Sequence, residues 1–339
     1  SGRWVIDHSL ASGTGLFDLR RLTWLPAALD LAGLDPDRLS EPVAPTARLP
    51  FRPVAARTLG LSPEVVLVPG AGDGPLACLG AGGIGPGQLT ATVGTSGAVR
   101  AVLPAPRTDP EQRTWCYYLA EGRWVAGGAI NNAGLAYRWL AQQVLGLTED
   151  AAEQLAAEAP PGAGGLLCLP FLTGERSPYW NADARGLFVG LSLEHNRRHL
   201  LRAMVEGVCF RLRSVAEAVA AVAGPPVEVR LTGGLLHSPL WTQTLADVLG
   251  WPLRRPTVSE ASAYGAALLA LRALERLPSL EAGASLVGTA DEVQPQPERQ
   301  ALYESLYRLY WQVYWHLQPD FPTIAALQRR LAGERDGPD

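Results

Sequence analysis

The sequence predicts an α/β fold, and three observations carry that prediction. Short apolar runs, such as Val65-Val66-Leu67-Val68 and residues 227–231, stop at glycine-rich turns, as strands do. Between them lie long segments whose apolar side chains recur every three to four residues; Leu200, Met204, Val208 and Leu212 form one such stripe. Strands alternating with helices imply layered α/β packing. A chain of 339 residues holds about two domains at the usual 100 to 200 residues each.

Taken in order, residues 1–60 mix turn signals such as Ser12-Gly13-Thr14-Gly15 with one helical stretch over 24–32. The strand at 65–68 ends at Pro69 and opens into Gly70-Ala71-Gly72-Asp73-Gly74, which presents a carboxylate on a flexible turn. Residues 88–93 and 98–103 read as two strands of a hairpin whose tip is Gly94-Thr95-Ser96-Gly97. A strand near Val125 precedes a helix over 132–144, and a Pro/Gly-rich loop then leads to a long helix over 194–222. The strand at 227–231 turns through Thr232-Gly233-Gly234 into a helix over 238–249. The segment 261–277 is so rich in alanine that, as a helix, it must pack closely. An aromatic-rich helix over 298–316 closes the fold before a polar tail. There is no short tandem repeat.

Composition removes several function classes. The net charge of −4 leaves no broad basic face, which argues against nucleic-acid binding by phosphate neutralisation. The chain has no lysine, so a Walker A loop, a Schiff-base lysine and the protein-kinase strand lysine are all excluded. Cys78, Cys116, Cys168 and Cys209 lie far apart without C-x-x-C spacing, against a zinc site or disulfide framework and in favour of a reducing compartment. No apolar run of about 18 residues and no export signal are present, so the expected setting is cytoplasmic, away from membranes.

Some motifs fail on context. Gly80-Ala81-Gly82-Gly83-Ile84-Gly85 fits a dinucleotide fingerprint, but a strand follows where a helix is needed. His195 and His199 have metal-ligand spacing, yet Asn196 replaces the required Glu, and a solvated helix face is expected. Asp73 and the two glycine turns remain. Glycine turns at strand ends offer backbone N–H groups to phosphates, and a lone carboxylate can orient and deprotonate an attacking alcohol. Ordinary turn chemistry would also account for both features.

The ordered set of motifs resembles the FGGY family of carbohydrate kinases, which share the actin-like (ribonuclease H-like) ATPase fold. The matching pieces run from Asp7-His8-Ser9-Leu10 and Gly70-Ala71-Gly72-Asp73-Gly74 through Thr92-Val93-Gly94-Thr95-Ser96-Gly97. They continue with Gly174-Glu175-Arg176-Ser177-Pro178-Tyr179-Trp180-Asn181, Thr232-Gly233-Gly234, Trp241-Thr242-Gln243 and Gly265-Ala266-Ala267. The stretch from Asp73 to Arg100 is most similar to gluconate kinases, with xylulose kinases the nearer competitor.

The resemblance implies ATP and Mg²⁺ as cofactors, a small sugar or sugar acid as partner, and transfer of the γ-phosphate to D-gluconate. It makes Asp73 the base. Gly94, Thr95, Ser96 and Gly97 become the phosphate loop, Gly134 and Arg138 lie near the nucleotide, and Gly233, Gly234 and Ser238 lie beside the adenosine. Arg138 and Ser238 depart from the Gln and Asn of glycerol kinases. The family's opening phosphate loop has no counterpart here, so residues 1–85 are expected to be the end of the sugar-binding domain and 86–339 the nucleotide domain. The activity of such a chain alone is then in question, and a non-catalytic nucleotide-binding fragment is the alternative of another class. Exposed strand edges in residues 1–85 would also allow a homodimer.

Overall fold

The computed structural model describes residues 1–62 and 64–333, without the side chains of Leu235 and Leu236. Its centre is a seven-stranded sheet. In chain order the strands are β1 (Gln88–Val93), β2 (Gly97–Leu103), β3 (Trp115–Ala120), β4 (Arg123–Ile130), β5 (Glu228–Thr232), β6 (Leu253–Pro256) and β7 (Thr289–Val293). They lie in the order β7-β6-β5-β1-β2-β4-β3. β1, β5 and β6 run parallel, while β1-β2, β2-β4, β4-β3 and β6-β7 pair antiparallel.

Helices cover both faces, although the alternation of the central strands makes only one of them uniformly apolar. Leu89, Ala91, Val93, Val99 and Ala101 pack with the 27-residue helix Arg197–Ala223, whose Met204, Val208 and Leu212 are buried as their stripe predicts. The opposite face meets helix α1 (Asp73–Gly80) and helix α2 (Ala261–Ala273), with Leu76, Leu79, Val102, Leu268 and Leu269 in its core. The alanine-rich segment does pack closely. A Cβ on Gly80 would stand 1.8 Å from the Ala261 carbonyl oxygen, and one on Gly265 2.1 Å from that of Leu76. Only glycine allows the two backbones to approach this far.

Among the described residues, 1–72 contribute no strand to this sheet. Their strands form two-stranded pairs, 5–7 with 41–43, 17–18 with 23–24 and 49–50 with 66–67. They are tied to the sheet through Ser12, whose Oγ accepts from Tyr118 N–H at 2.9 Å, and through Trp124, whose indole donates to the Leu19 carbonyl.

Three readings need correction. Asp73 and Gly74, read as the end of a turn, instead open a helix over Asp73–Gly80, because burial of Leu76, Ala77, Cys78 and Leu79 outweighs the segment's glycine and proline content. His199 is not on a solvated face. It is buried, its ring accepts from the Asn196 N–H to complete the cap of the long helix, and His195 lies before that helix begins. The polar tail contains a further helix, Phe321–Leu331, anchored by buried Phe321 and Ala325. Gly80 to Gly85 is a helix end and loop leading into β1, with no nucleotide-type helix after it.

Candidate active site

Asp73 is the first residue of α1 and is exposed, while Gly74 onward is buried. A carboxylate in the first turn suits the positive end of a helix, and its Oδ1 accepts from Gly74 N–H at 2.8 Å. Two contacts fix the turn. Ser262 Oγ, on α2, donates to the Asp73 carbonyl at 3.0 Å, and Gly72 N–H donates to Ser9 Oγ at 3.1 Å. The α1–α2 crossing therefore sets where this carboxylate stands.

Asp73 lies between two cavities and lines both. One, of about 530 Å³, is also lined by Thr92, Thr232, Gly233, Gly234 and residues 255–262, from the end of β6 to the start of α2. The other, of about 480 Å³, is lined by Ser9, Thr14, Ser96, Gly97, Trp115, Tyr117 and Arg176. Gly74 and Arg100 also belong to both walls. Trp115 and Tyr117 stack at 4.2 Å, giving the second cavity a flat aromatic side.

The hairpin tip has its own support. Gly134 N–H donates to the Gly94 carbonyl at 2.9 Å, Leu135 N–H to the Thr95 carbonyl at 3.0 Å, and Arg138 Nη2 to Thr95 Oγ1 at 2.9 Å. Gly94, Thr95, Gly134 and Arg138 thus form one cluster, and Ser96 with Gly97 joins it to the Asp73 cavity. The Gly174–Asn181 segment buttresses the same region. Buried Glu175 accepts from Asn131 N–H at 2.6 Å, and Asn132 Nδ2 donates to the Gly174 carbonyl at 2.7 Å, which fixes Arg176 beside the cavity.

The Thr232-Gly233-Gly234 turn divides its roles differently from expectation. Gly233 has φ +99°, and a Cβ there would stand 2.5 Å from the Val93 carbonyl oxygen, so glycine is required. Gly234 has no described atom within 4 Å of its Cβ position and lines the first cavity. Ser238 is buried as the cap of helix Pro239–Leu249: its hydroxyl accepts from Trp241 N–H and donates to Glu153. That hydroxyl is already engaged within the protein.

The sequence reading missed Arg100 and Arg176 as cavity residues. Arg100 was detectable in principle, because it is the single charge in the apolar strand Gly97–Leu103.

A mixed sheet with parallel strands at its centre, carrying a glycine-rich hairpin tip beside a helix-borne carboxylate, is the architecture of the actin-like ATPases. Among these the chain belongs to the FGGY family of carbohydrate kinases. The model of the family's N-terminal domain matches residues 1–80, and that of its C-terminal domain matches 89–274. A gluconokinase of Bacillus licheniformis is 36% identical over 98% of this chain and 67% of its own length. A gluconate kinase structure from Lactobacillus acidophilus superposes with TM-score 0.91 at 30% identity, covering 96% of this chain and 66% of that one. A ligand-bound xylulose kinase structure from the same organism gives the same values. The chain spans about two thirds of the length of these proteins.

Proposed function

We propose that this protein phosphorylates an open-chain sugar acid from ATP, converting D-gluconate to 6-phospho-D-gluconate. The observation that carries the reading is Asp73, an exposed carboxylate shared by two cavities and adjoining the Gly94–Gly97 tip. In this reading residues 1–85 end the sugar-binding domain and 86–339 form the nucleotide domain. The similarity to gluconokinase supports the choice of acceptor. Pentulose kinases remain the second reading, favoured by the equally close xylulose kinase structure.

In the reaction Asp73 accepts the proton of the acceptor's terminal hydroxyl. The freed oxygen forms a bond to the γ-phosphorus as the bond to the β–γ bridging oxygen breaks, and ADP leaves. Backbone N–H groups of the Gly94–Gly97 tip would hold phosphate oxygens, while Gly233 and Gly234 shape the wall beside the adenosine. Magnesium would arrive on the ATP phosphates, as this ion usually does. When bound it would neutralise phosphate charge. Four buried free cysteines agree with a cytoplasmic setting, and no described helix is long and apolar enough to cross a membrane.

The test is ADP release by the full-length protein across gluconate, xylulose, ribulose, glycerol and erythritol. Preference for gluconate is expected, and turnover of a pentulose alone would overturn the choice of acceptor.

A further inference from the structure

The cavity lined by Ser96, Gly97 and Tyr117 carries an excess of positive charge. Arg100 and Arg176 line it, and Asp73 is the single carboxylate residue in its wall. Arg100 stands on β2, on the sheet face that α1 and α2 cover. On the same face Arg230 and Arg254 are both held by Glu228, at 2.8 and 2.7 Å. Among the described residues Arg100 has no such partner. Its Nη1 donates to Thr92 Oγ1 at 3.0 Å, and its Nε is buried with no acceptor.

Arg176 is also without an ion pair among the described residues: its backbone N–H, and not its guanidinium, donates to Glu175. Burial pushes the Tyr117 hydroxyl up, and both guanidiniums oppose that shift, so both charges act on one point in this cavity. A buried guanidinium N–H without an acceptor forfeits its hydration for nothing in return. Gly74 closes that nitrogen off, its Cβ position lying 3.0 Å from Nε, so a ligand oxyanion in the cavity would meet the outer, Nη side of the guanidinium. The planar fork of arginine matches a carboxylate in two parallel hydrogen bonds, which a neutral hydroxymethyl group cannot make.

We propose that Arg100, together with Arg176, binds the carboxylate of the acceptor and so makes this cavity selective for sugar acids over neutral sugars and polyols. The proposal rests on the sugar-acid reading of the site. It names the residues that recognise the acid and goes beyond the family assignment, which covers kinases of neutral sugars equally.

The experiment compares wild type, Arg100→Gln, Arg100→Lys and Arg176→Gln in the full-length protein. Calorimetric titration with gluconate and with D-glucitol, its neutral counterpart, gives binding, and coupled ADP release with gluconate and D-xylulose gives kcat and KM. Arg100→Gln should weaken gluconate binding by about 10- to 100-fold, the usual worth of a hydrogen bond to a charged group. Arg100→Lys should recover part of the loss, Arg176→Gln should lose less, and the rise in KM should be several-fold smaller for D-xylulose than for gluconate.

Unchanged gluconate affinity in folded Arg100→Gln would overturn the proposal. So would an equal loss for neutral and acidic ligands, or a fall in kcat for every acceptor, which would assign Arg100 to the transferring phosphoryl group instead. Turnover of neutral acceptors by a wild type that binds no gluconate would refute this proposal and leave the kinase reading standing. Gluconate bound through Arg100 without ADP release from any acceptor would do the reverse.

Discussion

Gly265→Ala tests how Asp73 is positioned. The new Cβ would stand 2.1 Å from the Leu76 carbonyl oxygen and 3.1 Å from Gly80 N, and these are backbone atoms that cannot rotate away. Reaching ordinary contact at 3.4 Å requires α1 and α2 to separate locally by about 1.3 Å. Overpacking of this kind costs about 1–3 kcal/mol, and replacing a mid-helix glycine by alanine returns up to about 1 kcal/mol. The net expectation is a loss of about 1–2 kcal/mol, read as a lower urea midpoint at unchanged slope. Catalysis should suffer more than stability. Asp73 opens α1 and its carbonyl is held by Ser262 of α2, so the separation moves the base, and a shift of about 1 Å can cost roughly 10²-fold in rate. Gly80→Ala, whose Cβ would lie 1.8 Å from the Ala261 oxygen, should behave alike. A Gly265→Ala protein as stable as wild type and equally active would show that this crossing does not set the position of Asp73.

Other expectations follow from single groups. Asp73→Asn should keep ATP affinity by calorimetry while kcat falls by about 10² to 10⁴, and retention of more than a tenth of kcat would remove the base from the mechanism. Gly233→Ala, at φ +99° against the Val93 carbonyl, should lower unfolding stability by about 1–3 kcal/mol; a neutral result would refute the strain argument. Gly234→Val should instead leave stability nearly unchanged and weaken ATP binding, because its side chain enters open cavity; undiminished affinity would show that the nucleotide lies elsewhere. Asp109 is held below the ordinary carboxylate range chiefly by its hydrogen-bonded pair with Arg113, at 2.7 Å. A depressed carboxylate stabilises the fold above its unfolded pKa and loses that contribution as pH falls through its folded value. Arg113→Met should therefore flatten the fall in stability below pH about 4, measured by urea unfolding at stepped pH. A fall as steep as in wild type would discount the pair.

Elements whose signal is local were legible in the sequence. The hairpin at 88–103 shows its alternation and its small-residue tip, and helix Pro239–Leu249 shows both its serine cap and its first-turn proline. What escaped depends on tertiary contact. Asp73 and Gly74 read as part of a turn and the helix they open went unread, because Gly74, Pro75 and Gly80 lower intrinsic helicity and only packing against α2 restores it. The sequence places a glycine pair at 233–234 but cannot say which member takes positive φ; the nearby Val93 carbonyl decides that. His199 looked like surface because its partner is the backbone of its own cap. Ser238 was correctly located, yet its hydroxyl serves the helix start and Glu153.

The missed Arg100 shows where function leaves a mark on folding. A sheet covered on both faces should be apolar on both, yet the α1–α2 face of the central strands carries Thr90, Thr92, Arg100, Glu228, Arg230 and Thr232. At one end of that stripe the polar groups satisfy each other: Gln88 and Arg230 both donate to Glu228, and Arg254 pairs with it as well. Next to Asp73 they do not. Arg100 Nε is buried without an acceptor, although Thr92 and Thr232 still bond each other at 2.8 Å. Folding alone would favour apolar residues or a second carboxylate there, because an unsatisfied buried donor destabilises a domain with little stability to spare. A ligand carboxylate on the outer side of the guanidinium would supply the charge partner that the protein withholds, and a cavity shared with Asp73 is where such a ligand would enter. The same reasoning makes Arg100→Met informative. If the guanidinium waits for a ligand, the apolar variant should be at least as stable as the unliganded protein by urea unfolding, and it should lose the stabilisation that added gluconate gives the wild type. A strongly destabilised Arg100→Met, in a protein whose wild type gains nothing from gluconate, would instead make Arg100 a structural residue of the sheet.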